Sequence, residues 1–316
     1  MRVLVTGGAS GLGAALVDAF VARGDQVLVT DRHDSVVEEG AQRPSRDQGP
    51  AGTAYLRLDV TSDDDWAAAL SWVEEAWGGL DLLVNNAGIA TGGRIDVVTL
   101  EEWRHVIDIN LLGVVRGCRT FTPLFKRQGS GHIVNTASLA GLVHPPAMGS
   151  YTAVKAGVVA LSETLSYELA PYGITVTALC PSFVKTNLAS SLAGSDAAVD
   201  AVAARLINRS TITPEQFAEQ VMKGLDRKRM VIVPDRPARR AVWTKRFARP
   251  LYDREQRRFG ARIHALTSDL DGLDTGAGAP GSTTETALTS GPDGLDTGAG
   301  APGSTTETAR PPKGQA

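Results

Sequence analysis

Cysteine is scarce in this chain: Cys118 and Cys180 are the only two in 316 residues, and neither stands at a metal-ligand spacing. Cys118 falls within a helical pattern and Cys180 ends an apolar strand-like run. Both therefore read as buried free thiols, which fits a reducing cytoplasm. Long apolar runs are missing too, since none approaches the roughly 18 residues of a membrane-spanning helix. The opening "MRVLVTGG" passes directly from a strand into a glycine turn, without the charged and apolar regions of a signal peptide, so a soluble protein is expected. Positive charge is not in excess. A formal net charge of -3 gives the chain as a whole nothing to offer a phosphate backbone, and no nucleic-acid partner is expected.

What is present alternates. Short β-branched runs occur at 3–6, 26–30, 54–58, 80–86, 132–138, 174–180 and 230–234, separated by longer helical patterns. Strands this continuously apolar are buried on both faces, and intervening helices make their connections parallel. The expectation is an α/β fold, a doubly wound parallel sheet of about seven strands in a single domain over residues 1–235. Between the sixth and seventh strands, residues 187–216 are too long for a simple connection and read as a lid.

Beyond Pro234 the character changes. Residues 236–262 carry ten Arg and Lys against only Asp253 and Glu255. Pro250 should split a helical extension over 236–266 into two helices, the second with Tyr252, Phe259, Ile263 and Leu266 on one stripe. Such a basic face could make weak contact with an anionic membrane surface over 236–262. The favoured reading is a solvated cationic face whose apolar stripe docks on the domain or on a partner subunit. From Ala265 a 22-residue unit occurs twice. Its Gly, Ala, Ser, Thr and Pro leave little apolar surface to bury, so residues 267–316 read as a disordered, low-complexity tail.

Two stretches carry chemistry. "TGGASGLG" at 6–13 follows a strand and opens a helix. Gly7, Gly11 and Gly13 would let the backbone turn tightly and approach a pyrophosphate at the helix N-terminus. Asp31 ends the second strand, where a carboxylate can accept bonds from adenosine ribose hydroxyls and repel a 2′-phosphate. NAD is favoured on that ground, although the neighbouring Arg32 is what the 2′-phosphate of NADP would want. The second stretch is "SYTAVKAG" at 150–157, which sets Tyr151 and Lys155 one turn apart on one helical face. A nearby ammonium and the positive nicotinamide of an oxidised cofactor both favour phenolate and should draw the tyrosine pKa down from near 10 toward the working range.

"TGGASGLG", "NNAG" at 85–88, Asn110 in "IDINLLG", Ser138 in "IVNTAS" and "YTAVK" at 151–155 together resemble the short-chain dehydrogenase/reductase family, in its compact single-domain branch. The resemblance covers roughly residues 1–235. It implies a Rossmann fold and NAD(P)-dependent interconversion of a secondary alcohol and a ketone. Within it, Tyr151 matches the general acid/base, Lys155 the residue that holds the nicotinamide ribose, Ser138 the donor to the substrate oxygen, and Asn110 the anchor of a proton-relay water. Thr6, Gly7, Ser10, Gly11, Leu12 and Gly13 would form the cofactor turn with Asp31 and Arg32 beside it. Asp59 and Val60 match adenine-contacting positions, and Asn86, Ala87 and Gly88 line the groove. "PSFVKT" at 181–186 is similar to the family's proline-glycine-x-valine-x-threonine turn, which places Val184 and Thr186 on the carboxamide. Ser182 departs from that pattern, and serine would be strained there if the turn needs positive φ.

No metal is required by this chemistry. His132 begins a strand without a ligand partner; His144, before Pro145 and Pro146, could line a substrate pocket, the weaker of its readings. Residues 187–216, rich in Ala, Leu and Val, suggest an apolar alcohol or ketone as the small-molecule substrate. The resemblance also implies a homodimer or homotetramer, through the helices that carry Asn110 and Tyr151. The competing readings on the same fold are a membrane-surface-associated protein and a cofactor-binding regulator. The regulator would be marked by loss of Tyr151, Lys155 or Ser138, and all three are present.

Overall fold

In the computed structural model the described residues are 1–33, 53–182, 184, 192, 194–208 and 212–274, residue 206 and the last six by backbone alone. Residues 280–316 form a second unit that lies outside them, together with the rest of the expected disordered tail from 275.

Seven parallel strands form one sheet in the order β3-β2-β1-β4-β5-β6-β7. They are β1 (Arg2–Thr6), β2 (Gln26–Asp31), β3 (Thr53–Arg57), β4 (Leu82–Asn85), β5 (Gly131–Thr136), β6 (Ile174–Leu179) and β7 (Val231–Ile232). Successive side chains on a strand point to opposite faces, and the apolar runs feed two layers accordingly. Val3, Val5, Val27, Val29 and Val84 pack with Leu16 and Phe20 of α1 (Gly11–Ala22) and with Phe217 and Val221 of a later helix, Pro214–Leu225. Leu4, Leu28, Leu83, Ile133 and Val176 pack on the other side with Trp66 of α2 (Asp63–Trp77) and with Phe121, Phe125 and Val158. Phe20, Phe121, Phe125 and Phe217 are fully buried, each contributing about 1.5–3 kcal/mol over an exposed position.

The helices start where local chemistry says they should. Ser62 accepts the Asp65 amide at the start of α2, with Asp63, Asp64 and Asp65 at the positive end of its dipole. Thr99 and Glu102 close a capping box on α3 (Leu100–Ile107). A π-helical turn, Asp108–Leu112, then joins α3 to α4 (Gly113–Gln128). After β5 come the short α5 (Ala140–Val143) and the long α6 (Gly149–Leu169).

Within the expected lid, residues 197–208 form α7 (Ala197–Asn208), and 214–216 are the first turn of α8 (Pro214–Leu225). Helix α8 packs on α1, so those three residues belong to the layer under the sheet rather than to a lid. The cause is a second capping box, in which Thr213 and Gln216 bond each other's backbone ahead of Pro214.

The extension is two helices, α9 (Arg236–Phe247) and α10 (Arg249–Asp274), with Pro250 in the first turn of the second, where a missing N–H costs little. Tyr252 and Ile263 are buried and Phe259 and Leu266 partly so. This stripe faces the protein: the Tyr252 hydroxyl donates to the Val143 carbonyl, α10 contacts α7, and α9 contacts α5. The boundary expected at residue 267 needs correction. Helix α10 runs on to Asp274, with Thr267 fully buried, because an established helix gains one hydrogen bond for each residue it adds.

His132 sits on β5 with Nε2 2.9 Å from the Thr177 hydroxyl. Burial, with the Lys228 charge as a lesser cause, lowers its pKa to about 4. The unfolded chain takes up that proton near pH 6.5, so stability rises with pH between about 4 and 6.5 and is lost as pH falls through that window. Urea titrations should find roughly 3 kcal/mol of this acid-side loss removed in His132→Gln; parallel pH profiles for the two proteins would contradict this.

Candidate active site

The C-terminal ends of all seven strands lie along one edge of the sheet. β1 lies between β2 and β4, where the winding reverses and opens a crevice. One wall of the crevice is the turn 6–13. Gly7 and Gly11 take φ of +62° and +53°, and a Cβ on Gly13 would stand 2.0 Å from the Gly7 carbonyl oxygen. No other residue fits. Ser10 makes no side-chain bond to the first turn of α1, so that turn presents its amide groups. Leu12 packs into the layer beneath.

The turn is held against the end of β4. The Thr6 hydroxyl accepts the Asn86 amide at 2.9 Å and the Ala87 amide at 3.0 Å, while Asn86 Nδ2 donates to the carbonyls of Thr6 at 3.0 Å and Gly7 at 3.3 Å. At the β2 end, the Asp31 carboxylate accepts the Ala9 amide at 3.3 Å and the Arg32 amide at 2.9 Å, and the Arg32 guanidinium is exposed. Burial acts to raise the Asp59 pKa, but hydrogen bonds from the Thr61 amide and hydroxyl and the charges of Arg57 and Arg32 outweigh it, and the net shift is downward. Val60 is buried over Gly113. Glycines in a close-approach cradle, a capped-free helix start and a carboxylate at the end of β2 are the donor set that a dinucleotide requires.

The second wall carries the polar residues of β5 and α6. Lys155 Nζ donates to the Thr136 carbonyl at 2.9 Å and lies 5.8 Å from the Tyr151 ring centre. Ser138 accepts the Ala140 amide at 3.1 Å and stands near enough to the Tyr151 phenol to pull its pKa downward. Asn110, fully buried in the π turn, accepts the Ile89 amide at 2.9 Å and donates to its carbonyl at 2.8 Å. π-Helical turns of this kind are frequent at functional sites because they re-aim a side chain out of the regular ladder. Gly88 joins the groups: a Cβ there would be 2.8 Å from Asn110 Oδ1 and 3.6 Å from Lys155 Nζ.

Electrostatically, one expectation is reversed. Burial raises the Tyr151 pKa, and only Ser138 draws it back. Burial also lowers Lys155 to about 8, with Cys180 partly offsetting it. The slot is dry enough that desolvation dominates both groups. The resting pair is a neutral phenol beside an ammonium that still carries its proton at pH 7.

Ser182 is not strained, because among the described residues only His144, Ala147 and Lys228 take positive φ outside glycine. Val184 is buried, and Thr186 lies outside the described residues. Both thiols are free and buried, and burial pushes each pKa up to about 12. The His144 ring meets the Gly141 carbonyl at 3.2 Å and Lys245 Nζ at 2.8 Å, so it ties the 138–151 loop to α9. Lys245 also donates to the Leu142 carbonyl.

Sequence reading missed the network beneath the site. Asn85 Nδ2 donates to Asn135 Oδ1 at 2.9 Å, Asn135 Nδ2 to Ser162 Oγ at 3.0 Å, and Ser162 to the Val158 carbonyl at 2.7 Å. Two asparagines ending apolar strands were the available signal. Another pair links Thr91 and Ser150 hydroxyls at 3.0 Å, beside Tyr151.

Fold and site together define a dinucleotide-dependent oxidoreductase. The family described as short chain dehydrogenase matches residues 1–196. The chain is 40% identical over 185 residues to a 3-alpha-(or 20-beta)-hydroxysteroid dehydrogenase of Mycobacterium tuberculosis, a match covering 58% of this chain and 69% of that one. It is 34% identical over 222 residues to 2-(R)-hydroxypropyl-CoM dehydrogenase of Xanthobacter autotrophicus, covering 69% and 88%. In structure it resembles a short chain dehydrogenase/reductase from Burkholderia phymatum in complex with NAD, with TM-score 0.67 and 25% identity over 89% of this chain and 98% of that one. The chain belongs to the short-chain dehydrogenase family. It is an NAD(P)-dependent oxidoreductase that interconverts secondary alcohols and ketones.

Gly13→Ala should abolish binding of reduced nicotinamide dinucleotide, read by its fluorescence enhancement, because the added methyl must push the 6–13 turn away from β4. Binding within twofold of wild type would show that the turn is not the cradle.

Proposed function

We propose that Tyr151 is the general acid/base, Ser138 the donor to the reacting oxygen, Lys155 the cation that stabilises phenolate and holds a ribose, and Asn110 a positioning residue at the back of the site. The observation that carries this reading is the convergence of all four on one edge of the sheet, with Ser138 near enough to the Tyr151 phenol to pull its pKa downward and Lys155 held by Thr136 at 2.9 Å. An ammonium has three donors, and Thr136 occupies one, leaving others for ribose hydroxyls. The 6–13 turn, Asp31, Asp59, Val60, Asn86, Ala87, Gly88, Val184 and Thr186 would hold the dinucleotide, which supplies the hydride acceptor or donor when bound. In reduction, Tyr151 gives its proton to the ketone oxygen while Ser138 supports the charge that develops there. In oxidation, ionised Tyr151 takes the alcohol proton.

Asp31 at the end of β2 favours NAD over NADP. The substrate is read as an apolar secondary alcohol, cyclic or lipid-like. Val199, Val202, Ala203 and Ile207 of α7 are buried, and Val199 lies 3.0 Å from where a Gly92 Cβ would stand, next to the Thr91 that bonds Ser150. A relative named for hydroxysteroids agrees with such a wall. The protein is read as a cytoplasmic homodimer or homotetramer pairing through α4 and α6; light scattering of the purified chain should return a multiple of its 33.2 kDa, and a monomer would remove this part.

Tyr151→Phe should lose at least a hundredfold in kcat while retaining NADH binding, and Asp31→Ala should narrow the preference for NAD. Because burial raises Tyr151, alcohol oxidation should accelerate as pH rises above 7 and ketone reduction should not. An oxidation rate flat from neutral to alkaline pH would exclude Tyr151 as the base.

A further inference from the structure

The basic extension has two faces, and only one is used by the protein. On α9, Ala238 is buried and Lys245 reaches Leu142 and His144, which sets the inner side. The outer side, at spacings of three and four, carries Arg236, Arg240, Trp243 and Phe247. Nine large apolar side chains are exposed among the described residues. Three of them, Trp243, Phe247 and Leu251 at 60%, 65% and 52% exposure, fall within nine residues of this extension. Trp243 and Phe247 meet with ring centres 5.4 Å apart and planes tilted by 43°, and the Arg246 guanidinium lies 5.7 Å from the Phe247 ring centre. The apolar stripe from Tyr252 to Leu266 is spent on the fold. A different apolar set faces outward.

We propose that Trp243, Phe247 and Leu251, with the arginines around them, seat the protein on an anionic lipid surface. Charge selects the occupant. Residues 236–262 hold ten Arg and Lys, and their two acidic residues are taken up by neighbours, Asp253 by Arg249 at 2.7 Å and Glu255 by Arg258 at 3.0 Å. A second copy docked here about a two-fold axis would set two such clusters against each other, which like charges disfavour. Anionic headgroups complement the arginines, and Trp beside Phe and Leu suits the boundary between headgroups and acyl chains. The inner faces of α9 and α10 hold Leu142, Val143 and His144. The two helices therefore stand between the lipid and the loop that joins Ser138 to Tyr151.

Sedimentation of the full chain with phosphatidylcholine vesicles, with and without phosphatidylglycerol, tests this without reading turnover, so its result is independent of the catalytic proposal. The protein should pellet with the anionic vesicles only, and less so as salt is raised. Trp243→Ser/Phe247→Ser should stay in the supernatant with its thermal unfolding unchanged. Arg240→Gln/Arg246→Gln should weaken partitioning by roughly fivefold for each charge removed. Failure of the wild-type chain to pellet, or equal pelleting by the Trp243→Ser/Phe247→Ser variant, overturns the proposal. So does light scattering in which that variant alone drops to a smaller oligomer, which would assign the face to a second copy.

Discussion

Everything at the working edge of this protein depends on one side-chain oxygen. The Thr6 hydroxyl accepts the amides of Asn86 and Ala87 and so locks the first turn of the chain to the end of a strand eighty residues later. The amide of Asn86 returns the constraint through the carbonyls of Thr6 and Gly7. The glycines follow from the same closeness: Gly7 lies against Ala87, and Gly13 against the Gly7 carbonyl and Asn86. A backbone held that closely admits no side chain at either glycine.

The reacting side operates by desolvation. Burial disfavours charge on Tyr151 and on Lys155 alike, while the proposed oxidative direction calls for both charges. The protein answers with fixed dipoles rather than water. Thr136 offers its carbonyl to the ammonium, Ser138 opposes the rise in the phenol's pKa, and the chain of Asn85, Asn135 and Ser162 holds β4, β5 and α6 in register beneath them. In so low a dielectric a small change in nearby charge moves the tyrosine proton far more than it would in water.

The proposed lipid contact would use the same scaffold in a second way. Helices α9 and α10 bury one stripe over the loop between Ser138 and Tyr151, and present the other to solvent with its arginines and adjoining rings. Long basic side chains tolerate either water or headgroups, so the fold can be completed inward while the outward face remains available.

Much of this could be read along the chain. All seven strands were foreseen, because buried parallel strands are apolar without interruption, and so was the helix break at Pro250, because proline lacks a donor. The glycines of the 6–13 turn and the spacing of Tyr151 and Lys155 could be read locally, whereas Asn110, Ser138, Asp59 and Val60 were named through the family resemblance alone. Three things were not visible. Sequence spacing sets Tyr151 and Lys155 together but says nothing of the water around them, and burial reversed the expected direction of the tyrosine shift. The Asn85, Asn135 and Ser162 network joins three elements that no local pattern connects. The docked stripe and the exposed aromatics of the extension look alike in sequence, since both recur at helical period. Sequence by itself determined the elements, their order and the chemistry of each side chain, because these depend on near neighbours. Tertiary structure alone decided which groups lost their water and which apolar face stayed outside, because desolvation is a property of the whole packed layer.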